Sequence, residues 1–258
     1  MKRARRSSVV YRPSSIFEGE SELLNWICQP GSATVQAWRA RGDWSPSSVY
    51  PPGRELFRQG DWPSTVYLIE EGLIKLTHLA AEGHPVIVGL YARGSLLGST
   101  AALLQQALLT TAETVTPCRI AHLRAAEFRR LVQTDPQFSL SLHLWNGQGW
   151  RAAVQQLSLL RSLPAERRFM TFIEEFWSIS RTPRSATPVR LPMPLKCWEL
   201  AQLIAVTPEY LSRLVARLER YGLLRREGRC FTILDPRALE RGWSGMATVR
   251  RSSTSPDR

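Results

Sequence analysis

The stretch CWELAQLIAVTPEYLSRLVARLERYGLLRREGRCFTIL, residues 197–234, decides the reading of this chain. Trp198, Leu200, Ala201 and Ile204 give a short amphipathic helix, and Ala205-Val206-Thr207 breaks it. Thr207 can cap a second helix, Pro208 fits its first position, and Glu209 suits the positive end of its dipole. Leu211, Leu214, Val215 and Leu218 then fall at i, i+3, i+4 and i+7, the spacing of a core-facing stripe. Two short helices joined by a three-residue turn predict a helix-turn-helix, whose second member can enter a DNA major groove. Beyond it, Leu223–Arg226 and Arg229–Leu234 flank the turn signal Glu227-Gly228 and predict a β wing.

The chemistry on the second helix points the same way. A guanidinium can donate two hydrogen bonds to guanine O6 and N7, and a carboxylate can accept from cytosine N4. Glu209, Ser212 and Arg213 are therefore the candidate base-reading residues. Thr207, Tyr210, Arg217, Arg225, Arg226 and Arg229 are candidates for phosphate contact, which positions a protein on the duplex without reading sequence.

Outward from that segment, composition narrows the class. The 258 residues are 43% hydrophobic, ample for a core and too apolar for a wholly disordered chain. The net charge is +12, of which residues 165–258 supply +7, a skew expected of a polyanion-binding half. The longest apolar run, Val86 to Ala92, is far shorter than the ~20 residues of a membrane helix, and the basic N-terminus lacks an apolar signal core. A cytoplasmic protein without membrane association is expected. Cys28, Cys118, Cys197 and Cys230 share no short spacing and read as buried reduced thiols.

Residues 1–50 mix Ser, Arg, Gly and Pro around Leu23–Ile27 and read as a flexible basic extension with one short helix. From 51 to 134, short β-prone runs alternate with glycines at 60, 72, 83, 94 and 98, the texture of a compact antiparallel β-roll. Asp135-Pro136 opens a helix uninterrupted by proline until Pro164, and 135–163 is assigned as a dimerisation helix. Its seven-residue rows (Phe138, Trp145, Ala152, Leu159 and Leu142, Gly149, Gln156, Leu163) suit a partner helix. From them Leu142, Trp145, Gly149, Ala152 and Leu159 are the predicted interface of a homodimer. Residues 164–243 form the winged helix-turn-helix domain, and 244–258 a disordered tail. The fold class is α+β: an N-terminal antiparallel roll, a long helix, and a C-terminal winged helix-turn-helix.

With those elements in place the chain resembles the cyclic AMP receptor protein/fumarate-nitrate reduction regulator (Crp/Fnr) superfamily of bacterial transcription factors. The resemblance spans about residues 53–240. It is carried by Leu56-Phe-Arg-Gln-Gly-Asp with Ser64-Thr-Val-Tyr-Leu-Ile-Glu-Glu-Gly-Leu-Ile-Lys75, by the long helix, and by the winged module, in the family's order. It implies a jelly roll like those that bind cyclic nucleotides, a homodimer, double-stranded DNA as partner, and contact with RNA polymerase. Glu209-Tyr-Leu-Ser212-Arg213 is similar to the Glu-x-x-Ser-Arg motif of the fumarate-nitrate branch, implying TTGAT-like half-sites in an inverted repeat.

The effector site departs from the family. The stretch matching the phosphate cassette runs from Gly98-Ser99 to Thr110-Thr111-Ala112. Ser99 is too short to hold a ribose hydroxyl as the family's glutamate does, and Thr110 carries no charge to pair a phosphate. Cyclic AMP or GMP is therefore not expected there, and no cofactor is assigned. Haem sensing through His78, His84, His122 or His143 stays open, as does a small anion near Lys75, Arg93 or Arg151. An iron–sulfur cluster would need several clustered thiolates, and only Cys28 stands near the N-terminus. Two other readings remain: a constitutive DNA-binding protein with a degenerate pocket, and a cupin-like metalloenzyme. The second lacks its ligand pattern, since Thr77-His78-Leu79 and Glu82-Gly83-His84 do not supply His-x-His with a carboxylate. No catalytic or metal residue is assigned.

Overall fold

The computed structural model describes residues 26–30, 32–81, 83–180 and 188–234. Residues 1–25 of the expected basic extension and the tail 244–258 lie outside the described residues. Strand β1 (Ile27–Cys28) and helix α1 (Ser32–Arg39) lead into the roll. Its strands are β2 (Ser48–Tyr50), β3 (Glu55–Phe57), β4 (Thr65–Glu71), β5 (Ile74–Leu79), β6 (Pro85–Tyr91) and β7 (Leu96–Leu97). Helix α2 (Ser99–Leu104), β8 (Thr111–Thr114) and β9 (Cys118–Arg124) complete it. Three helices follow: α3 (Ala125–Thr134), α4 (Pro136–Ser162) and α5 (Ala165–Ile179). The C-terminal unit contains β10 (Val189–Pro192), α6 (Cys197–Leu203), α7 (Pro208–Arg220), β11 (Leu224–Glu227) and β12 (Cys230–Ile233).

The roll consists of two sheets, one ordered β1-β6-β5-β8-β3 and the other β2-β9-β4-β7. Pairing is antiparallel except that β1 runs parallel to β6, with Ile27 opposite Leu90. Alternation along β4 sends side chains two ways. Tyr67 and Ile69 point into the roll's interior with Phe57, Ile74 and Ile120, whereas Val66 and Leu68 meet α3 and α4. Gly72, at the β4–β5 turn, has φ of +98°, and a Cβ there would stand 2.5 Å from the Pro117 carbonyl oxygen. Only glycine fits that conformation and that approach.

Residues 26–50 are not the loose extension expected of them. Trp26, Trp38 and Trp44 are buried, and the Trp38 ring meets Phe138 edge-on at 5.2 Å. Three tryptophans in 19 residues carry enough apolar surface to order a segment that its Ser, Gly and Pro content describes as loop.

The long helix also turns a different face to solvent than its sequence rows suggested. Asp135 caps α4 by accepting from the Gln137 and Phe138 N–H groups at 2.9 and 3.0 Å. Phe138, Leu142 and Trp145 are buried against the same subunit's roll. Gly149 and Ala152 line a half-open cavity, and Leu159 packs on the C-terminal core. Of the interface predicted at Leu142, Trp145, Gly149, Ala152 and Leu159, the first two are corrected, because both are buried within the protomer, whereas Gly149, Ala152 and Leu159 are half-buried. The exposed apolar positions are Leu140, Leu144, Trp150, Val154 and Leu157, with Trp150 72% exposed. At 100° per residue the two stripes lie on roughly opposite sides of the helix.

The C-terminal unit docks on the roll through a shared core. Trp26, Ile27 and Leu90 join Phe172, Ile173 and Leu203 in one buried cluster. Polar contacts fix the register of that docking. The Trp26 indole N–H donates to the Leu203 carbonyl at 3.0 Å, and its backbone N–H donates to Glu175 Oε2 at 2.9 Å. Gln202 accepts from the Ile87 N–H and donates to the Pro85 carbonyl, at 2.9 and 2.8 Å. Lys75 Nζ lies 2.6 Å from Glu199 Oε1 on α6 and 3.0 Å from Glu113 Oε1 on β8. Lys75 and Glu199 are both buried, so each charge depends on the other. Burial pushes the Lys75 ammonium toward losing its proton, but the hydrogen bonds from Glu199 and Glu113 outweigh this and raise its pKa.

Lys75→Met should lower stability by about 3–5 kcal/mol in urea denaturation, because it leaves the Glu199 carboxylate uncompensated. Adding Glu199→Gln, which keeps an acceptor without the charge, should restore most of that loss.

Candidate nucleic-acid interface

Helix α6 starts with the Lys196 N–H donating to Glu199 Oε2 at 2.7 Å, so one carboxylate both caps the helix and pairs with Lys75. After α6 the chain reverses at Ala205, whose φ of +52° is left-handed. A Cβ in that conformation costs on the order of 1 kcal/mol. Thr207 Oγ1 then accepts from the Tyr210 N–H at 3.2 Å, with Pro208 opening α7. Leu211, Leu214, Val215 and Leu218 are buried.

The opposite face carries Glu209, Ser212 and Arg213, all exposed. Their i, i+3, i+4 spacing puts them on one side of the helix. The Glu209 carboxyl is held below the usual carboxylate range by its own backbone N–H, with Thr207 and Arg213 helping. It is thus an ionised acceptor beside a guanidinium donor. Behind α7, β10-β12-β11 form the wing, in which Arg225 and Arg229 are exposed.

Three of the predicted phosphate contacts are committed within the protein instead. The Tyr210 hydroxyl and Arg217 Nη2 both donate to Glu166 Oε1 on α5, at 2.9 and 2.6 Å. They stand seven residues apart, on the flank of α7 that faces α5. Burial pushes the Glu166 carboxyl up, but Arg217, its own backbone N–H and Tyr210 outweigh that and hold it low. Arg226 donates from Nε to the Gly228 carbonyl at 3.2 Å and lies 5.9 Å over the Phe231 ring. These side chains set the pose of the reading helix and the wing.

Arg168, on α5, was not among the sequence candidates. Its Nε and Nη2 donate to the Ile204 and Ala205 carbonyls in the helix-turn-helix turn, at 2.8 and 3.0 Å. Its Nη1 donates to the Leu160 and Leu163 carbonyls at the end of α4, at 3.1 and 3.0 Å. One guanidinium thus ties the end of the long helix to the turn preceding α7. Only its position in an Arg-rich first turn, Ala165-Glu-Arg-Arg168, marked it in sequence, and charge there reads equally as a solvated face.

The roll holds a cavity of about 540 Å³ between its sheet and α4. Of the predicted effector residues, Gly98, Ser99 and Thr110 line it. Thr111 and Ala112 do not: Thr111 Oγ1 accepts from the Gln59 N–H at 3.0 Å, and Ala112 is buried in the roll's core. Both sit in β8 and are used by its pairing with β5. Lys75, a candidate anion partner, is already bound to Glu113 and Glu199. The four histidines do not converge: among the described residues no three His, Cys, Asp or Glu side chains group as a metal site would. No helix among the described residues is long and apolar enough to cross a membrane.

A roll of this topology, a long helix and a winged helix-turn-helix with an exposed polar reading face define a DNA-binding transcription regulator. Residues 48–135 match the cyclic nucleotide-binding domain model, and residues 168–242 match the Crp-like helix-turn-helix domain model. The chain is 28% identical over 216 residues to the transcriptional activator protein FnrA of Stutzerimonas stutzeri, covering 82% of this chain and 86% of that one. It is 26% identical to the nitrogen fixation regulation protein FixK of Rhizobium meliloti, covering 74% and 84%. Among solved structures, FixK2 from Bradyrhizobium japonicum superposes with a TM-score of 0.64 at 18% identity, over 76% of this chain and 95% of that one. The c-di-GMP responsive regulator CLP of Xanthomonas campestris gives the same TM-score and identity, over 78% and 98%. The chain belongs to the Crp/Fnr family of transcription regulators, whose members are not enzymes, and the cupin-like metalloenzyme reading falls with that assignment.

Arg168→Met should cost on the order of 3 kcal/mol in denaturant unfolding, because the carbonyls it serves lose a charged donor. Arg168→Lys should recover little, since an ammonium lacks the fork that spans two helix ends.

Proposed function

We propose that two copies of the chain bind an inverted repeat of TTGAT-like half-sites about one helical turn apart, each presenting α7 to a major groove. The observation that carries this reading is the solvent-facing row Glu209, Ser212 and Arg213 on a helix whose other flanks are fully used. Arg213 would read a guanine and Glu209 a cytosine N4, with Ser212 adding a weaker bond. Thr207, Arg225 and Arg229 would meet phosphates, while Tyr210, Arg217 and Arg226 act by holding α7 and the wing in place.

The dimer forms through the outward stripe of α4, in which Leu140, Leu144, Val154 and Leu157 are exposed. Pairing that stripe with its symmetry mate buries apolar surface otherwise left in water, in the manner of a two-stranded coiled coil. Such a dimer works in the cytoplasm and contacts RNA polymerase, as the family resemblance implies. The roll acts as sensor, and its effector is not a cyclic nucleotide: Ser99 and Thr110 supply neither the long carboxylate nor the guanidinium that ribose and phosphate need. Occupancy would act on DNA binding by favouring one relative pose of the two reading helices.

Selection of bound sites from random DNA, with and without candidate effectors, tests half-site, spacing and ligand dependence together. Arg213→Ala should cost about 1–3 kcal/mol of operator affinity and relax preference at one base pair. Unchanged selectivity in that variant would remove Arg213 from the reading face. Val154→Glu should turn the dimer monomeric in sedimentation at micromolar concentration, whereas the Leu142→Ala change should lower stability without altering the oligomer.

A further inference from the structure

The cavity between the roll and α4 has a property independent of its missing cassette residues. None of the 27 residues lining it is Asp, Glu, Lys, Arg or His. Its walls are Leu76, Leu90, Leu96 and Leu97 of the sheets, closed by Trp26 and Trp145. The polar groups that reach it are neutral amides and hydroxyls such as Asn146, Gln156 and Thr110. At the rim Val88, Leu104 and Leu109 leave apolar surface exposed.

Its two titratable lining groups report the same environment. Burial pushes both the Cys28 thiol and the Tyr91 hydroxyl up to about 12. A charged ligand placed beside them would surrender water with no opposite charge among the lining side chains to replace it. An uncharged, largely apolar one would surrender mostly unfavourable hydration, and a neutral polar atom on it could meet the amides and hydroxyls of the lining. The volume of about 540 Å³ is more than three times the roughly 150 Å³ of an engineered apolar cavity that accepts benzene. A fused-ring or similarly sized molecule fits.

We propose that this cavity binds an uncharged, predominantly apolar small molecule. The inference rests on the reading of the roll as a sensor and supplies the class of its signal. Its occupant would touch Trp26, Ile27 and Leu90, which also belong to the core that carries α5 and α6. Trp26, which forms part of the cavity wall just before β1, is therefore also the residue hydrogen-bonded to Leu203 and Glu175 of the DNA-binding unit.

The test compares two fluorescent probes sharing one aromatic body, on the full chain. The uncharged probe is N-phenyl-1-naphthylamine, and the anionic one is 8-anilinonaphthalene-1-sulfonate. The uncharged probe should bind saturably, one per protomer, at least tenfold more tightly than the anionic one, and millimolar cyclic AMP should not displace it. Ala152→Trp, which fills the cavity from α4, should abolish its binding. Thr110→Arg, at a half-exposed position that tolerates a long side chain, should weaken the uncharged probe and strengthen the anionic one. Equal or tighter binding of the anion, displacement by cyclic AMP, or unaltered probe binding in a folded Ala152→Trp protein would overturn the proposal. If that variant fails to fold, an unshifted preference in Thr110→Arg overturns it instead. Operator binding by the unsubstituted protein without probe is measured separately. Its failure would sink the regulator reading and leave the ligand class intact.

Discussion

The guanidinium of Arg168 is the contact on which the arrangement of this molecule depends. A helix ends with carbonyls that have no partner of their own, and here two such groups meet: the last turn of α4 and the turn between α6 and α7. Arg168 donates to both, from Nη1 to Leu160 and Leu163 and from Nε and Nη2 to Ile204 and Ala205. The bonds differ from an ordinary surface ion pair in that their acceptors are backbone, so any shift of one helix end is felt by the other. On the far side of the turn, Glu166 holds Tyr210 and Arg217. Two residues of the first turn of α5, Glu166 and Arg168, thus fix both the entrance and the flank of the reading helix, leaving Glu209, Ser212 and Arg213 facing water.

A second constraint ties this assembly to the roll. Lys75 and Glu199 are buried together as an ion pair that Glu113 extends. Glu199 also caps α6, so a single carboxylate serves helix initiation and domain docking at once. Trp26 contributes at the same junction, with its ring in the shared core and its indole N–H on Leu203. Coupling between cavity and reading helix needs a physical element whose state both can bias. The Trp26–Cys28 segment, paired to β6 through β1 and bonded to α5 and α6 through Trp26, is the element that touches both.

The two faces of α4 show where pattern reading stops. Its sequence carries two apolar stripes, and seven-residue spacing is present in each. Phe138, Leu142 and Trp145 contain the bulkier side chains and satisfy a dimer seam on paper, yet they are consumed by Trp38 and Phe128 of the same subunit. One side of this helix packs on its own roll, and the other leaves Leu140, Leu144, Trp150, Val154 and Leu157 facing water. Periodicity gives the phase of a stripe, not what covers it.

Local chemistry alone determined the helix-turn-helix. The Thr207 cap, Pro208, the stripe Leu211–Leu218 and the left-handed Ala205 are all short-range features, and so is the exposure of Glu209, Ser212 and Arg213 opposite that stripe. The strand–glycine texture of the roll is equally local, since the tight turns at Gly72, Gly83 and Gly94 use a positive φ. Tertiary structure decided what those groups touch: that Tyr210 and Arg217 serve Glu166, that Lys75 is spent on Glu199 and Glu113, that Trp26, Trp38 and Trp44 are core, and that the cavity lacks charge. Each of these pairs groups that the chain separates by tens of residues or more, and hydrogen bonds or desolvation at that range depend on how elements pack. Sequence spacing carries no record of that.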